Sequence, residues 1–239
     1  MPTASASKLA RPVRLATATR VHTSVLAPVE KRLLVWIARR LPRWVTSDHL
    51  TILALLGMIG AGLSFWLASV SPVGLYLVVV CLVVNWFGDS LDGTVARVRD
   101  QQRPRYGFYV DHVVDAVGTA ALLAGLGLSG YMTPIVAAGM TAAYMMLLTE
   151  VFLAAHSVGT FRMSYFRVGP TELRVILAIG ALTLLARPTA AIFGHQYLLF
   201  DVGGVVSIIG ILGTFASSAI ANTRTLYRAE PLPAREQVA

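Results

Sequence analysis

Cysteine and charge are both scarce in this sequence. A single cysteine, Cys81, occurs among 239 residues, so the chain can form neither an intrachain disulfide nor a cysteine-based metal site. Charged residues make up only 13% of the chain, whereas hydrophobic residues make up 56%. This composition excludes an ordinary soluble domain and indicates a polytopic membrane protein.

Acidic residues are also few, 12 against 20 lysines and arginines, which gives a formal net charge of +8. Nine of the twenty basic residues lie within the first 43 positions. Because a long apolar sequence follows them, we expect their partner to be anionic membrane lipid, and no nucleic acid. Residues 1–28 contain no apolar run, so no cleavable signal segment is predicted there.

Apolar stretches predict six transmembrane helices. They cover about residues 50–70, 75–98, 106–127, 134–157, 171–187 and 200–222. The connections at 99–105 and 162–167 are basic, as is the C-terminal tail, whereas those at 71–74 and 130–134 carry no charge. Lysine and arginine favour the cytoplasmic side, so both termini and both basic connections are predicted there, with Arg187 as the exception.

The predicted fold is therefore all-α, a polytopic membrane protein with six transmembrane helices in what we expect to be a prokaryotic inner membrane. Residues 1–28 are predicted to be a flexible basic segment, and residues 29–45 a cytoplasmic amphipathic helix at the membrane interface. A soluble docking helix is the alternative for 29–45. The six-helix domain is predicted to cover 46–223, and the cytoplasmic tail 224–239.

Four aspartates interrupt the apolar stretches between residues 85 and 118: Asp89, Asp92, Asp111 and Asp115. On helices, the first two share one arc and the last two, four residues apart, share one face. Two helices joined by a short turn could direct all four carboxylates to one volume, where they would repel one another unless cations were bound. Oxygen ligands favour Mg²⁺, Mn²⁺ or Ca²⁺, and a metal pair would stabilise a phosphoryl group under attack.

The aspartates belong to a longer pattern, Asp89-x2-Asp92-Gly93-x2-Ala96-Arg97 followed by Gly107-x3-Asp111-x3-Asp115. These eight positions resemble the signature of the CDP-alcohol phosphotransferases, with nine residues between Arg97 and Gly107 where eight are commonest. The resemblance implies an integral membrane enzyme of phospholipid synthesis. Such an enzyme moves a substituted phosphate from a CDP-linked donor to an acceptor hydroxyl and releases CMP.

The same resemblance implies roles for the residues of the pattern. Asp89, Asp92, Asp111 and Asp115 would hold two Mg²⁺ ions, with Mn²⁺ as a substitute, and the protein would be a homodimer. Arg97 would contact the nucleotide diphosphate, and Gly93, Ala96 and Gly107 would belong to the same nucleotide-binding surface. Asn85 lies one turn before Asp89, so it could contact the cytidine or, equally, a neighbouring helix.

Two further features resemble the choline/ethanolamine phosphotransferase branch of this family. They are His112, next to Asp111, and Glu172 in the sequence Gly169-Pro170-Thr171-Glu172. In that branch a histidine and a glutamate at these places assist the hydroxyl group of the acceptor, which here would be a diacylglycerol-type lipid. The base that takes the acceptor's proton would be either this pair or Asp115. The alternatives are that His112 is a packing residue and that Glu172 complements a helix dipole.

Other functions remain open at this point. One is a transferase that uses CDP-diacylglycerol and a polar alcohol such as inositol phosphate, glycerol phosphate or serine. A metal or proton transporter is a remote alternative, because transporters place such acids near the membrane midplane, often within inverted repeats that this sequence lacks. The acids could also form salt bridges with Arg174 or Arg97. Glu150 and His156 are ionisable groups inside an apolar stretch, so they are candidates for a functional role. Glu150 could instead form an ion pair with Arg174.

Overall fold

The computed structural model describes residues 27–158 and 169–230. Within these ranges the chain forms seven helices and one hairpin: α1 (Ala27–Arg40), α2 (Ser47–Ala68), α3 (Val73–Val98), α4 (Pro104–Leu128), α5 (Pro134–Ser157), α6 (Pro170–Thr183), β1 (Thr189–Ile192), β2 (His195–Leu198) and α7 (Leu199–Ala229). The basic connection predicted at 162–167, most of the predicted N-terminal segment and residues 231–239 lie outside the described residues.

Five of the described helices, α2 to α5 and α7, are long and apolar enough to cross a membrane. They turn large apolar side chains outward, for example Leu63, Val80 and Ile135. The prediction of an all-α polytopic membrane protein is confirmed. The count of six is not, because α6, in the stretch predicted at 171–187, has 14 residues. At about 1.5 Å per residue it is roughly 21 Å long, less than the hydrocarbon thickness of about 30 Å.

Helix α2 lies at the centre of the fold, and both α3 and α4 pack against it. Glycines make these contacts unusually close. A Cβ atom added at Gly88 of α3 would lie 2.5 Å from the carbonyl oxygen of Leu50, and one added at Gly125 of α4 would overlap the carbonyl of Gly62. Small residues at membrane helix crossings let the backbones touch in this way. The last third of α3 is consequently fixed against the start of α2.

Two apolar clusters hold the helices together. The larger joins α2, α3 and α4 around Phe65, Leu75 and Leu126, all of which are fully buried. The smaller places Leu34 and Ala38 of α1 against Leu50, Leu91 and Val95. Helix α1 therefore buries one side on α2 and α3.

The connection between α1 and α2 is fixed by an arginine from the end of α3. The Arg99 guanidinium donates hydrogen bonds to the carbonyl oxygens of Val45 at 2.5 Å and Leu41 at 2.9 Å.

Trp36 on α1 is 54% exposed, and the guanidinium of Arg40 lies 3.9 Å from the centre of its ring. The exposed side of α1 thus carries both aromatic and basic groups.

Candidate active site

The four aspartates of the sequence pattern come together where the last third of α3 and the first half of α4 lie close to one another. Asp92 experiences Coulombic repulsion from Asp89 and Asp111. Asp115 experiences repulsion from the other three aspartates. The structure therefore brings the two predicted pairs within electrostatic range of one another, across a volume bordered by α2.

Asp89 is held by a residue that is distant in sequence. Its Oδ2 atom forms an ion pair with Nη2 of Arg174 on α6, at 2.7 Å. The Nε atom of Arg174 donates to Oδ1 of Asn85 at 2.6 Å, and Nδ2 of Asn85 donates to the carbonyl oxygen of Ala54 on α2 at 2.8 Å. The alternative in which the acids form salt bridges between helices is thus realised for Asp89.

Asp92 is held by neutral donors. The hydroxyl of Thr51, one turn into α2, donates to Oδ2 of Asp92 at 2.8 Å, and the backbone N–H of Gly93 donates to its other oxygen. Thr51 is buried, with 8% of its surface exposed. Helix α2 therefore fixes both acids of α3, one through Thr51 and the other through Ala54 and Asn85.

A tyrosine of α5, Tyr144, lies near the second pair of acids, Asp111 and Asp115. Tyr144 is hydrogen-bonded to the side chain of Thr119 and lies within electrostatic range of Asp115 and Asp111. Asp115 is also attracted by Arg174. The cluster thus has a tyrosine near Asp111 and Asp115, and an arginine that pairs with Asp89 and attracts Asp115.

The residues predicted to contact the nucleotide lie along one side of α3 and at the start of α4. Nη2 of Arg97 donates to the hydroxyl of Thr94 at 2.9 Å, and the guanidinium lies over Gly93, where an added Cβ would be 3.2 Å from Nη1. Ala96 is half-buried beside it. A Cβ at Gly107 would meet nothing within 4 Å. Gly107 therefore borders open space, whereas Asn85 is buried against neighbouring helices.

A polar cleft opens one helical turn away from Thr51. It is lined by Thr46, Ser47, Asp48, Gln101, Gln102 and Arg103. Arg103 forms an ion pair with Asp48 at 2.5 Å, and this hydrogen bond raises the pKa of the guanidinium above its ordinary value. Thr46 caps α2 by accepting a hydrogen bond from the backbone N–H of His49 at 3.3 Å. The cleft thus lies between the start of α2 and the connection from α3 to α4.

His112 and Glu172, the pair predicted to assist the acceptor, lie near the starts of α4 and α6. His112 is 4% exposed, its Nδ1 lies 2.6 Å from the carbonyl oxygen of Phe108, and its ring packs against Phe108 and Phe152. Oε2 of Glu172 accepts a hydrogen bond from the backbone N–H of Gly169 at 3.0 Å, at the start of α6. The contact of Glu172 is the one expected of a charge that complements a helix N-terminus.

The chemistry of the acidic cluster suits hard divalent cations. Four carboxylates in electrostatic range provide only oxygen ligands, the type that Mg²⁺ and Mn²⁺ prefer. Oδ1 of Asp89 and both oxygens of Asp115 accept no hydrogen bond from any described residue. Among the described residues, no three acidic, histidine or cysteine side chains are already gathered at metal-binding distance. The fit therefore rests on donor type and charge.

Of the two alternatives for Glu150, a functional role or an ion pair with Arg174, the structure does not show the ion pair. The Oε1 atom of Glu150 accepts hydrogen bonds from Ser218 at 2.9 Å and from Asn222 at 2.8 Å, both on α7. The ion pair does not form because Glu150 faces α7, whereas Arg174 projects from α6 towards α3. His156, near the end of α5, is exposed.

Sequence reasoning did not assign Thr51 or Tyr144 to the site, and it considered Arg174 only as a salt-bridge partner. Thr51 lies one turn into α2, and its contact with Asp92 depends on how α2 packs against α3, which the sequence does not show. Arg174 did carry a signal, since an arginine two residues after Glu172 in an apolar stretch requires a polar partner.

Comparison with known proteins agrees with this arrangement. The model of the family described as CDP-alcohol phosphatidyltransferase matches residues 44–215, a range that includes all four aspartates and Arg174. The comparison with curated proteins finds no match. Since the family match covers most of the chain, the protein belongs to the CDP-alcohol phosphatidyltransferase family.

Proposed function

We propose that this transferase moves a substituted phosphate from a CDP-aminoalcohol to the hydroxyl group of a diacylglycerol-type lipid and releases CMP. The observation that carries the proposal is the cluster of four aspartates at the junction of α2, α3, α4 and α6, with Arg174 beside it. Few functions other than binding cations and phosphates account for so many carboxylates in an apolar helix bundle.

Asp89, Asp92, Asp111 and Asp115 are the residues that would hold two divalent cations, Mg²⁺ or Mn²⁺. When bound, such a pair offsets the negative charge on a diphosphate and on the departing phosphate. Thr51 and Arg174 hold Asp92 and Asp89 in place, so the ligands would be oriented by contacts from two other helices.

Arginines around the cluster suit the anionic donor. Arg97 lies beside Gly93, at the edge of the acids. Nη1 of Arg174 is buried and donates to no described residue, although its neighbouring nitrogens are both engaged. A buried N–H donor beside the acids favours a ligand with acceptor oxygens, as a diphosphate has. The polar cleft near Thr46 and Gln102 could receive the cytidine.

The bond changes in this reaction are simple. The acceptor oxygen bonds to the β-phosphorus of the donor, the bond from that phosphorus to the bridging oxygen breaks, and CMP leaves. The acceptor's proton must pass to a base, and we propose His112. The carbonyl of Phe108 can only accept, so the hydrogen bond at Nδ1 places the proton there and leaves Nε2 of the neutral ring as the basic atom. Glu172 is proposed as its partner, and Asp115 is the other candidate base.

The proposed donor class follows from the resemblance of His112 and Glu172 to the aminoalcohol branch. CDP-diacylglycerol with a polar alcohol is the alternative. The test is to incubate purified protein with labelled CDP-choline, CDP-ethanolamine or CDP-diacylglycerol, each with a panel of acceptors. We expect labelled lipid from an aminoalcohol donor and diacylglycerol. Product from CDP-diacylglycerol alone would assign the alternative, and no transfer from any donor would contradict both.

A further inference from the structure

Arg174 belongs to a chain of three hydrogen bonds that begins on the backbone of α2 and ends at Asp89. The carbonyl oxygen of Ala54 accepts from Asn85, Asn85 accepts from Nε of Arg174, and Nη2 of Arg174 donates to Asp89. The distances of 2.8, 2.6 and 2.7 Å are those of well-formed or charge-assisted hydrogen bonds. The chain joins three helices.

The start of this chain is rigid. Asn85 is 4% exposed, and a Cβ atom added at Gly57 of α2 would lie 2.7 Å from its backbone nitrogen. Helices α2 and α3 are thus in backbone contact at Asn85, and its side chain has little freedom to change rotamer. Asn85 therefore fixes the position of the Arg174 guanidinium, and the guanidinium in turn fixes the orientation of the Asp89 carboxylate.

Only one oxygen of Asp89 is used by this chain. Oδ2 accepts from Arg174, while Oδ1 accepts no hydrogen bond from the described residues. The carboxylates of Asp92 and Asp115 lie within electrostatic range of this aspartate, and that of Asp111 lies within range of both. A carboxylate pinned through one oxygen presents the other in a defined direction.

We propose that Arg174 is a positioning residue for the metal centre, which orients Asp89 so that Oδ1 faces the divalent cation. This inference rests on the proposed function, because it concerns a ligand of the proposed metal pair. The planar guanidinium bridges Asn85 and Asp89 with two different nitrogens, which a lysine ammonium cannot reproduce in the same geometry. Loss of such a partner to a metal ligand typically weakens metal binding about 10- to 100-fold.

Two simpler roles make different predictions. If Arg174 only docks α6 onto α3, its replacement lowers the thermal stability of the protein but leaves metal affinity unchanged. If Arg174 acts only through its charge, which opposes a cation, Arg174→Gln binds metal more tightly and Arg174→Lys binds it as the wild type does. Positioning predicts weaker binding by both variants.

The experiment measures Mn²⁺ binding to full-length protein in detergent, from the electron paramagnetic resonance signal of free Mn²⁺. Variants are Arg174→Gln, Arg174→Lys and, as matched control, Arg187→Gln, which removes an arginine beyond the other end of α6. Thermal unfolding of each protein without added metal reports stability separately. We expect Kd for Mn²⁺ to rise about 10- to 100-fold in both Arg174 variants and to stay within about twofold of wild type in the control.

The outcomes separate this inference from the function on which it rests. Wild-type protein that binds no Mn²⁺ would overturn the proposed metal centre and this role with it. Wild-type binding with unchanged or tighter binding by Arg174→Lys would overturn the positioning role alone. If Arg174→Gln does not fold, Arg174→Lys decides the matter, because it keeps a positive charge beside Asp89.

Discussion

At the scale of single residues, Asp89 and Asp115 are chemically identical but have opposite electrostatic surroundings. Asp89 has a cationic partner at 2.7 Å, whereas Asp115 is repelled by three acids and is attracted by the same arginine without an ion pair to any described residue. Removing the charge of Asp115 relieves repulsion, while removing that of Asp89 leaves Arg174 without its counter-ion.

We therefore expect Asp89→Asn and Asp115→Asn both to abolish turnover but to differ in stability. Without metal, Asp115→Asn should hold or raise the melting temperature. Asp89→Asn should lower the free energy of unfolding by about 1–3 kcal/mol, the cost of a lost hydrogen bond to a charged group. Thermal unfolding in detergent measures both, and equal destabilisation by the two variants would contradict this account of the cluster.

His112 provides a second test at this scale. If it is the base, His112→Ala should lower kcat by about 10²- to 10⁴-fold, since this is the usual contribution of general-base catalysis. Metal dependence should persist, because the ring is not assigned as a ligand. A variant that melts earlier but retains wild-type kcat would make His112 a packing residue between Phe108 and Phe152, and would favour Asp115 as the base.

The contacts of single residues also mark the limit of what the sequence could predict. The spacing of the four aspartates predicted their grouping on two helices, because helical periodicity fixes which side chains share a face. The sequence named Arg174 as a possible salt-bridge partner of the acids, but it could not assign that arginine to Asp89, 85 residues away in sequence. That contact depends on how α6 packs on α3, and no local pattern contains this information.

At the scale of helices, close approach at glycines sets the position of the acids. A Cβ at Gly88, next to Asp89, would press on the backbone of Leu50 and Ala54, whereas one at Gly213 of α7 would meet nothing within 4 Å. Gly88 therefore determines how near α3 comes to α2, and with it the contact between Thr51 and Asp92.

We expect Gly88→Ala to destabilise the protein by about 1–3 kcal/mol or more, because a crowded crossing must separate. It should also weaken Mn²⁺ binding. Gly213→Ala is the matched control and should hold or raise stability, since alanine favours a helix over glycine by about 1 kcal/mol. Tolerance of Gly88→Ala, judged by melting temperature and Mn²⁺ affinity, would show that the crossing does not position the site.

Glu172 caps the start of α6. Two substitutions can distinguish this capping role from a role in catalysis. Glu172→Gln keeps an oxygen that can accept from Gly169, so it should preserve stability. Glu172→Ala should lower it by about 1 kcal/mol. If Glu172 assists His112, kcat should fall in both variants, and a glutamine variant with wild-type kcat would restrict the residue to its capping role.

The segment after α6 forms a structure that the pattern of apolar residues did not predict. Residues 189–198 form a hairpin that turns at Phe193 and Gly194, both with positive φ, 51° and 83°. The sequence prediction placed a membrane helix up to residue 187 and assigned nothing to this segment. An apolar stretch interrupted by Pro188 and Gly194 can continue a helix or make a tight turn, and periodicity alone does not distinguish them.

At the scale of the whole molecule, the short α6 decides on which side of the membrane the hairpin lies. Basic residues at the end of α3 and at the end of α7 favour the cytoplasm for both. If both lie there, the four spans α2 to α5 bring the chain back to the cytoplasm, and we predict that α6 crosses the membrane once more. Helix α7 has 31 residues, about 46 Å, and so has ample length for its own crossing.

Single cysteines can test this topology because the chain has only Cys81. In a Cys81→Ser background, we expect Phe193→Cys, at a position 97% exposed, to react with a membrane-impermeant maleimide added to intact cells. Gln101→Cys, between α3 and α4, should react only after the membrane is opened. Labelling of both positions on the same side would show that α6 does not cross.

We propose that the four aspartates form a divalent-metal centre for transfer from a CDP-linked donor. CMP release by purified protein given donor and acceptor tests this directly, first after chelation with EDTA and then with Mg²⁺ or Mn²⁺ restored. We expect no CMP after chelation and recovery on adding either metal, with no recovery in Asp111→Asn. Undiminished CMP release from fully chelated wild-type protein would contradict it.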